Sequence, residues 1–553
     1  MADSIILLCC ALFVSAAWLL RTQFLQRGSY RVIRNIPGPP SNSWLKGNFM
    51  KFFDRHGQSF QQDVALNYGP VVRLEAFCGN KMLHISDPKA LHTIFIKEDT
   101  VYEETDASFA SDGTHRTMKL LFGDCLLATA GEHHRKQRKM LNPVFSVSHM
   151  RHMLPIFYST IFKVREVVRA EVQSGKNEID MLEWTGRAAL ELIGQGGLGY
   201  SFDPMVANTE TRNAYGDAIK SINPNLLAVE KLRRNLDILI DLGPRRFRRF
   251  VVDMFPNPHV QRLKYIVDTM DENCREIFRE KKTALAKGDE ATLRQVGEGK
   301  DIMSILIKAN SAASEQDRLP EDELIAQMSL LVLAATDTTS NTLSRILHLL
   351  AEHREMQEKL REEILKSGAG NGDISYDVLN KLPLLDAVCR ETLRRYPPVT
   401  ILIRAPRKDS VLPLSEPICG VDGTMIKEIP IPKGTELIIG TFGCNVSKSL
   451  WGEDSLEWKP ERWLSPLPRA VTEASIPGVY SNLMSFIGGK RACIGFKFSE
   501  MEMKVVLSVM LSNFTFELSD KTIEWNIANV WYPTVGKDSD LPQLPLKVGL
   551  YKA

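Results

Sequence analysis

Up to about residue 396, most apolar positions beyond an early short-run region recur at three- and four-residue spacing, the signature of helices buried along one face. One early region breaks that rhythm. Residues 71–74 and 82–85 are short apolar runs separated by Gly79-Asn80, which predicts two strands joined by a turn. From 399 to 445 the pattern changes to Pro, Gly and short β-branched runs such as 436–441, predicting a small sheet; the last forty residues, with Trp525, Val530 and Trp531, read as further strands and turns. The pattern therefore predicts a mainly α body with a minor β region. Two polar gaps, 287–300 and 465–482, are flanked by periodic segments on both sides and do not read as domain linkers.

One predicted helix is unusually long. It starts near Pro320, carries Glu321, Asp322 and Glu323 in its first turn, and continues to about Leu350 without Gly or Pro. Its apolar centre is interrupted by Thr336, Asp337, Thr338 and Thr339. A charge and three hydroxyls in such a helix are costly unless satisfied or used. Either they form a solvent-facing patch with hydroxyls bonded back to the preceding turn, or they serve chemistry.

The amino terminus adds a different element. Residues 4–20 carry no charge and would span roughly 25 Å as a helix, just short of a bilayer core unless 24–25 extend it. A cleaved signal peptide fits less well, because Asp3 precedes the run and no clear small-residue cleavage site follows. Arg21, Arg27, Arg31 and Arg34 come after it, which places the remainder on the cytosolic side. Pro37-Gly38-Pro39-Pro40 then predicts a stiff elbow. The expected organisation is an anchor at 1–25, a basic, proline-rich hinge at 26–45, and one body at 46–553.

Charge and cysteine usage narrow the chemistry. With 69 basic and 67 acidic residues the net charge is +2, which gives no reason to expect nucleic acid. The 9 cysteines include no C-x-x-C pair and are odd in number, against a disulfide framework or a zinc site. One of them stands apart. Residues 486–495 read FIGGKRACIG, with Cys493 among glycines, Arg491 two residues before it, and an apolar helix-like run continuing to Leu511. A lone cysteine is ordinarily a buried structural thiol. Here the glycines permit close approach of a flat group, the helix start favours a thiolate, and thiolate is a good ligand for iron.

Phe486, Gly489, Arg491, Cys493 and Gly495 resemble the haem-binding signature of the cytochrome P-450 monooxygenases. Three further elements follow the same family order. Ala334-Ala335-Thr336-Asp337-Thr338-Thr339 resembles the oxygen-activating segment, with alanine at 335 where glycine is common. Glu391-Thr392-Leu393-Arg394 resembles the E-x-x-R pair, and Pro460-Glu461-Arg462-Trp463 the later P-E-R-W element. Other E-x-x-R strings, such as Glu230/Arg233, Glu276/Arg279 and Glu358/Arg361, lie in charged stretches expected to be solvated faces. Residues 131–138, GEHHRKQR, are similar to the family's W-x-x-x-R helix with His134 in place of tryptophan. Nearby Arg135, Lys136 and Lys139 form either a docking face for an acidic partner or an ordinary solvated face.

The resemblance covers the whole chain. It implies the cytochrome P-450 fold, a triangular helical body holding haem b between the long central helix and the helix after the cysteine loop. It implies Cys493 as axial ligand, Phe486 as a shield for the sulfur, and His134, Arg138, Arg404 and Arg491 as contacts to the haem propionates. Asp337, Thr338 and Thr339 would deliver protons, and Glu391, Arg394 and Arg462 would form a structural charge triad. Electrons would come from NADPH through a separate cytochrome P-450 reductase, with cytochrome b5 as a second donor. The sequence resembles microsomal members, implying a single-pass protein of the endoplasmic reticulum membrane, and residues 131–145 resemble basidiomycete sequences. Segments 117–127, 330–338, 399–403 and 529–531 would line the substrate pocket. Their apolar character implies a lipophilic substrate, terpenoid or sterol-like in fungal secondary metabolism. Fatty-acid or xenobiotic hydroxylation, a thiolate-haem enzyme that does not use O₂, and a membrane haem-binding or sensing protein without turnover are the alternatives.

Overall fold

The computed structural model describes residues 31–103, 114–203, 205, 214–229, 232, 243–288, 298–368 and 374–552. The expected anchor, the first part of the hinge, Glu230/Arg233 and most of the 287–300 gap lie outside them. Among the described residues no helix is long and apolar enough to cross a membrane.

The helices that position the site are α1 (Gly131–Leu141), α2 (Val147–Gln173), α3 (Met181–Leu192), α4 (Glu321–Glu352), α5 (Arg354–Ser367), α6 (Pro383–Arg395) and α7 (Phe496–Asn513). Their starts follow local chemistry. Ser146 Oγ accepts from His149 N at 3.3 Å to cap α2, and Asp180 accepts from Leu182 N at 3.1 Å to cap α3. The expected central helix is α4. Its three first-turn carboxylates suit the N-terminal dipole, and its 32 residues extend roughly 48 Å. It packs on α3, α6, α7 and the strand Phe514–Leu518, and is buried along most of its length.

The strands are β1 (Val71–Glu75), β2 (Lys81–Ile85), β3 (Tyr102–Glu103), β4 (Glu178–Asp180), β5 (Ile401–Pro406), β6 (Ser410–Cys419), β7 (Met425–Ile431), β8 (Leu437–Gly440), β9 (Phe514–Leu518), β10 (Ile523–Ala528), β11 (Val530–Val535) and β12 (Pro545–Leu550). The main sheet has the order β1-β2-β8-β5-β3. The β1–β2 pair is antiparallel with Val71 opposite Ile85, while β2 and β8 are parallel with Leu83 opposite Leu437. The sheet thus joins residues more than three hundred positions apart. The β3 and β4 strands were not expected, being only two and three residues long.

Strand β1 is an edge strand, and its free side is covered. Arg73 N donates to Pro37 O at 2.9 Å; Asn48 N donates to Glu75 O at 2.7 Å, and Glu75 N donates to Asn48 Oδ1 at 3.0 Å. Upstream, Ile33 and Ile36 are fully buried, so the segment after residue 31 is packed onto the body.

One expectation fails clearly. Arg361 is not on a solvated face but buried. It donates to the carbonyl oxygens of Leu511 and Phe514 (2.7 Å to the latter) and to Gln357 Oε1 at 2.8 Å, with its guanidinium 4.5 Å from the Tyr551 ring centre. The carbonyls left free at the end of α7 require a donor, and this arginine supplies it. Glu276 and Arg279 are exposed, as expected.

Candidate active site

The cysteine loop is shaped by close backbone packing. Gly489 has φ +71°, and a Cβ there would lie 2.0 Å from Phe95 O. Only glycine meets both conditions. Ile487 also has a positive φ, +43°, an uncommon conformation for a β-branched residue. Cys493 N donates to Phe486 O at 2.9 Å, closing the loop. The Phe486 ring lies 5.5 Å from Tyr480, edge-on, and 6.2 Å from Phe496.

Cys493 is exposed, yet burial is the main cause of a raised thiol pKa, opposed by the Gly495 N–H and the positive charge of Arg138. A thiol that is both reachable and enclosed faces an interior hollow. The middle of α4 shows a related pattern: Ala334 is exposed although Val332 and Thr336 beside it are buried. The Thr336–Thr339 stretch is therefore not a solvent-facing patch, since Thr336 and Thr339 are buried.

The predicted anion contacts converge. A cavity of ≈ 570 Å³ is lined by His134, Arg138, Arg404 and Arg491, together with Phe95 and Tyr102. His134 and Arg138 lie one turn apart on α1 and so share a face. That face is oriented from behind: Gln137 Nε2 donates to Glu323 Oε2 at 2.9 Å, and His133 Nε2 lies 2.9 Å from the same oxygen. Arg138 donates to Ala492 O at 2.6 Å; Arg491 donates to Thr129 O at 2.8 Å. Burial lowers the Arg138 pKa, with Cys493 opposing and Arg491 reinforcing that shift. Arg404 is buried with its guanidinium 5.4 Å from the Phe95 ring centre. The cavity's lining carries four arginines and two lysines against Asp99, Glu103 and Glu132, and this excess of positive charge favours an anionic guest. Arg135 and Lys139 also line this cavity, whereas Lys136 donates to Gln316 O and Arg318 O at 2.7 and 3.0 Å and is not a free docking cation.

Asp337, Thr338 and Thr339 do not line this cavity. Thr338 Oγ1 donates to Ala334 O at 2.7 Å, and Asn341 Nδ2 donates to Asp337 Oδ1 at 3.1 Å. Thr339 Oγ1 lies 3.1 Å from Ser499 Oγ on α7, tying the central helix to the cysteine helix.

The charge triad is assembled. Arg394 donates to Glu391 through Nε and Nη2 at 2.8 and 2.9 Å, and Arg462 Nε donates to Glu391 Oε1 at 3.0 Å. Burial raises the Glu391 pKa, but Arg394 and Arg462 outweigh it and hold the carboxyl below its usual value. Two members escaped sequence reasoning. Trp463 Nε1 donates to Glu391 Oε2 at 2.9 Å, and Asn445 accepts from Met484 N at 2.8 Å and donates to Ser485 Oγ at 2.9 Å. Trp463 lies within the quoted P-E-R-W string; nothing in the sequence around Asn445 signals its place.

Another thiol, Cys274, is also buried, but it lies 3.5 Å from Tyr215 Oη and 3.3 Å from Ser329 Oγ, between helices. It lacks the glycine loop and basic cavity that accompany Cys493.

The family model described as cytochrome P450 matches residues 37–544. Cytochrome P450 monooxygenase 219 of Postia placenta is 67% identical over 553 residues, covering 100% of both chains. The ganoderic acid synthetase CYP5150L8 of Ganoderma lucidum is 48% identical over 536 residues, covering 96% of both. A monooxygenase of Hericium erinaceus, eriI, is 37% identical over 550 residues, covering 98% of this chain and 97% of its own.

Proposed function

Because this chain belongs to the cytochrome P450 family of haem-thiolate monooxygenases, we propose that Cys493 is its iron ligand and that it oxidises a lipophilic terpenoid or sterol-like substrate. The observation that carries the first part is the convergence of His134, Arg138, Arg404 and Arg491 on one cavity beside the Cys493 loop. The guanidiniums of this cavity suit two carboxylates, and Cys493, which does not itself line it but follows Arg491 by two residues, offers a thiol to the metal of a flat dianionic macrocycle. When bound, haem supplies the binding and reductive activation of O₂.

The chain's own residues then have separate tasks. The Gly495 N–H and Arg138 favour the thiolate over the thiol. Phe486, packed against Tyr480 and Phe496, keeps water from the sulfur. Thr338 Oγ1 and Asp337 Oδ1 are the atoms that would carry protons. Thr338 donates to Ala334 O at rest and must turn from it to serve oxygen; Asp337 must turn from Asn341 to reach solvent. Electrons would come from NADPH through a separate reductase, with the body held at the endoplasmic reticulum membrane by residues 1–25.

The substrate class rests on the ganoderic acid synthetase of Ganoderma lucidum, 48% identical to this chain. Carbon monoxide difference spectra of membranes carrying the wild type and Cys493→Ser are the test. A strongly red-shifted Soret band in the wild type, absent from the variant, is expected. A wild type lacking the band defeats the ligand assignment. Turnover with a fungal reductase and NADPH then ranks terpenoids and sterols against fatty acids and aromatic xenobiotics; preference for either of the latter removes the substrate assignment.

A further inference from the structure

In the helix Arg245–Met254 the apolar face points away from the protein. Phe247, Phe250 and Met254 stand at i, i+3 and i+7 and so share one side of the helix. They are 47%, 59% and 68% exposed, and Phe255, just past the helix end, is exposed as well. A surface helix ordinarily turns such a face to the core. Here polar groups hold the helix instead. Arg249 donates to both carboxylate oxygens of Asp268 at 2.7 and 2.6 Å, and Asp253 pairs with Lys264. Gln261 Nε2 donates to Val252 O and Phe255 O, both at 2.8 Å. These partners all lie on the next helix, Pro258–Lys287. Residue 249 meets 268, 253 meets 264 and 255 meets 261, so the two helices run antiparallel and the outward aim of the phenylalanines is fixed along the length of the pair.

Four large apolar side chains exposed within a short stretch form a patch, and such a patch marks a binding surface. Charge selects the partner. The helix reads RRFRRFVVDM, with four arginines and one aspartate. At 100° per residue, Arg246 and Arg248 fall on either side of the apolar face, the first exposed and the second half-buried. With Lys264 and Asp268 at the same contact, five cations meet two carboxylates. A second copy of the chain would bring the same positive excess to the face, so repulsion opposes self-association there. An apolar stripe bordered by arginines matches the boundary of a bilayer: the acyl region takes the aromatic side chains, and anionic headgroups take the guanidiniums.

We propose that the helix Arg245–Met254 lies in the plane of a bilayer containing anionic phospholipid, with Phe247, Phe250, Met254 and Phe255 below the headgroups and Arg246 and Arg248 level with them. This contact uses none of the residues of the anchor proposed at 1–25, and it rests neither on that anchor nor on the haem site. A tether alone leaves a body free to turn. A second contact more than two hundred residues further along the chain fixes which side of the body faces the lipid.

Tryptophan emission from vesicles tests the proposal. Full-length wild type and Phe250→Trp are reconstituted into vesicles of phosphatidylcholine, with and without phosphatidylserine, whose acyl chains carry bromine near the headgroup end. Variant minus wild type isolates the emission of the new tryptophan. It should fall several-fold in vesicles with phosphatidylserine and much less in those without, and high salt should narrow the difference. Adding Arg246→Glu to Phe250→Trp should remove most of the dependence on phosphatidylserine. Both positions are exposed, and circular dichroism checks that the variants keep the wild-type fold. Absence of quenching in both vesicles overturns the proposal; an emission that then changes with the number of proteins per vesicle assigns the face to a second copy. Equal quenching in both vesicles, or an unchanged lipid dependence in the Arg246→Glu variant, overturns the preference for anionic lipid.

Discussion

Arg394 Nη1 donates to the backbone oxygen of Asn445 at 3.0 Å, and through this contact the buried ion pair reaches the cysteine loop. Asn445 in turn holds Met484 N and Ser485 Oγ, and Ser485 Oγ donates back to Leu393 O at 2.7 Å. The helix that carries the E-x-x-R pair and the short helical turn leading into residues 486–495 are thereby fixed by a closed ring of hydrogen bonds. Asn445→Ala removes two of them and strands a buried amide, so a loss of about 2 kcal/mol is expected in urea unfolding, together with weaker haem retention. Unchanged haem retention would mean that the ring does not position the loop.

Glu391→Gln breaks a fully buried pair and should cost about 3–5 kcal/mol. It should also change the acid limb of stability. The folded-state pKa of Glu391 is depressed, so its contribution is present above the unfolded carboxyl value and is lost as pH falls through the lower folded value. The variant should be less stable at neutral pH and lose less on acidification. Parallel wild-type and variant curves below the unfolded carboxyl pKa would show that Glu391 is not the group responsible.

The FIGGKRACIG loop and the long central helix were legible in the sequence because each is written in a short local string. Glycine positions, a charged first turn and an uninterrupted apolar period are all readable within a few residues. The Asn445 ring and the burial of Arg361 were not legible. Asn445 meets residues 39 and 40 positions away, and Arg361 meets carbonyls about 150 positions away. In each case the local string is an ordinary polar segment, and only packing between distant helices and loops decides its environment. The two-stranded pairing of β3 with β5 was hidden for the same reason.

Gly489→Ala introduces a side chain at φ +71° and against Phe95 O. Strain and overlap together should cost at least about 2 kcal/mol and lower the haem content of expressed protein several-fold. Normal haem content would show that the loop relaxes without consequence.

His84 is buried beneath Gly440, and burial lowers its pKa to about 4 from 6.5. In the unfolded chain it binds a proton at a higher pH than in the folded one. Its contribution is therefore complete above pH 6.5 and is lost as pH falls toward 4, amounting to about 3 kcal/mol at the limit. His84→Gln should flatten stability across that window, measured by urea midpoints at several pH values. His348, also lowered to about 4, acts with the same sign and will leave a residual slope. A variant with the full wild-type slope would remove His84 from the account.

Arg138→Ala and Arg404→Ala should each speed transfer of haem to a scavenger protein several-fold, because each removes one cation from the cavity. Wild-type transfer rates in both variants would leave the cavity without its proposed guest.

The covered side of strand β1 has a practical consequence for making the protein without its first residues. A chain beginning at residue 31 keeps Pro37 and Asn48 on Arg73 and Glu75, and Ile33 and Ile36 in place. One beginning after residue 48 would bare a row of unpaired amides and carbonyls beside freshly uncovered apolar surface. Such an edge invites strands of other copies, so the chain beginning after residue 48 should accumulate as aggregate where the one beginning at residue 31 stays in solution.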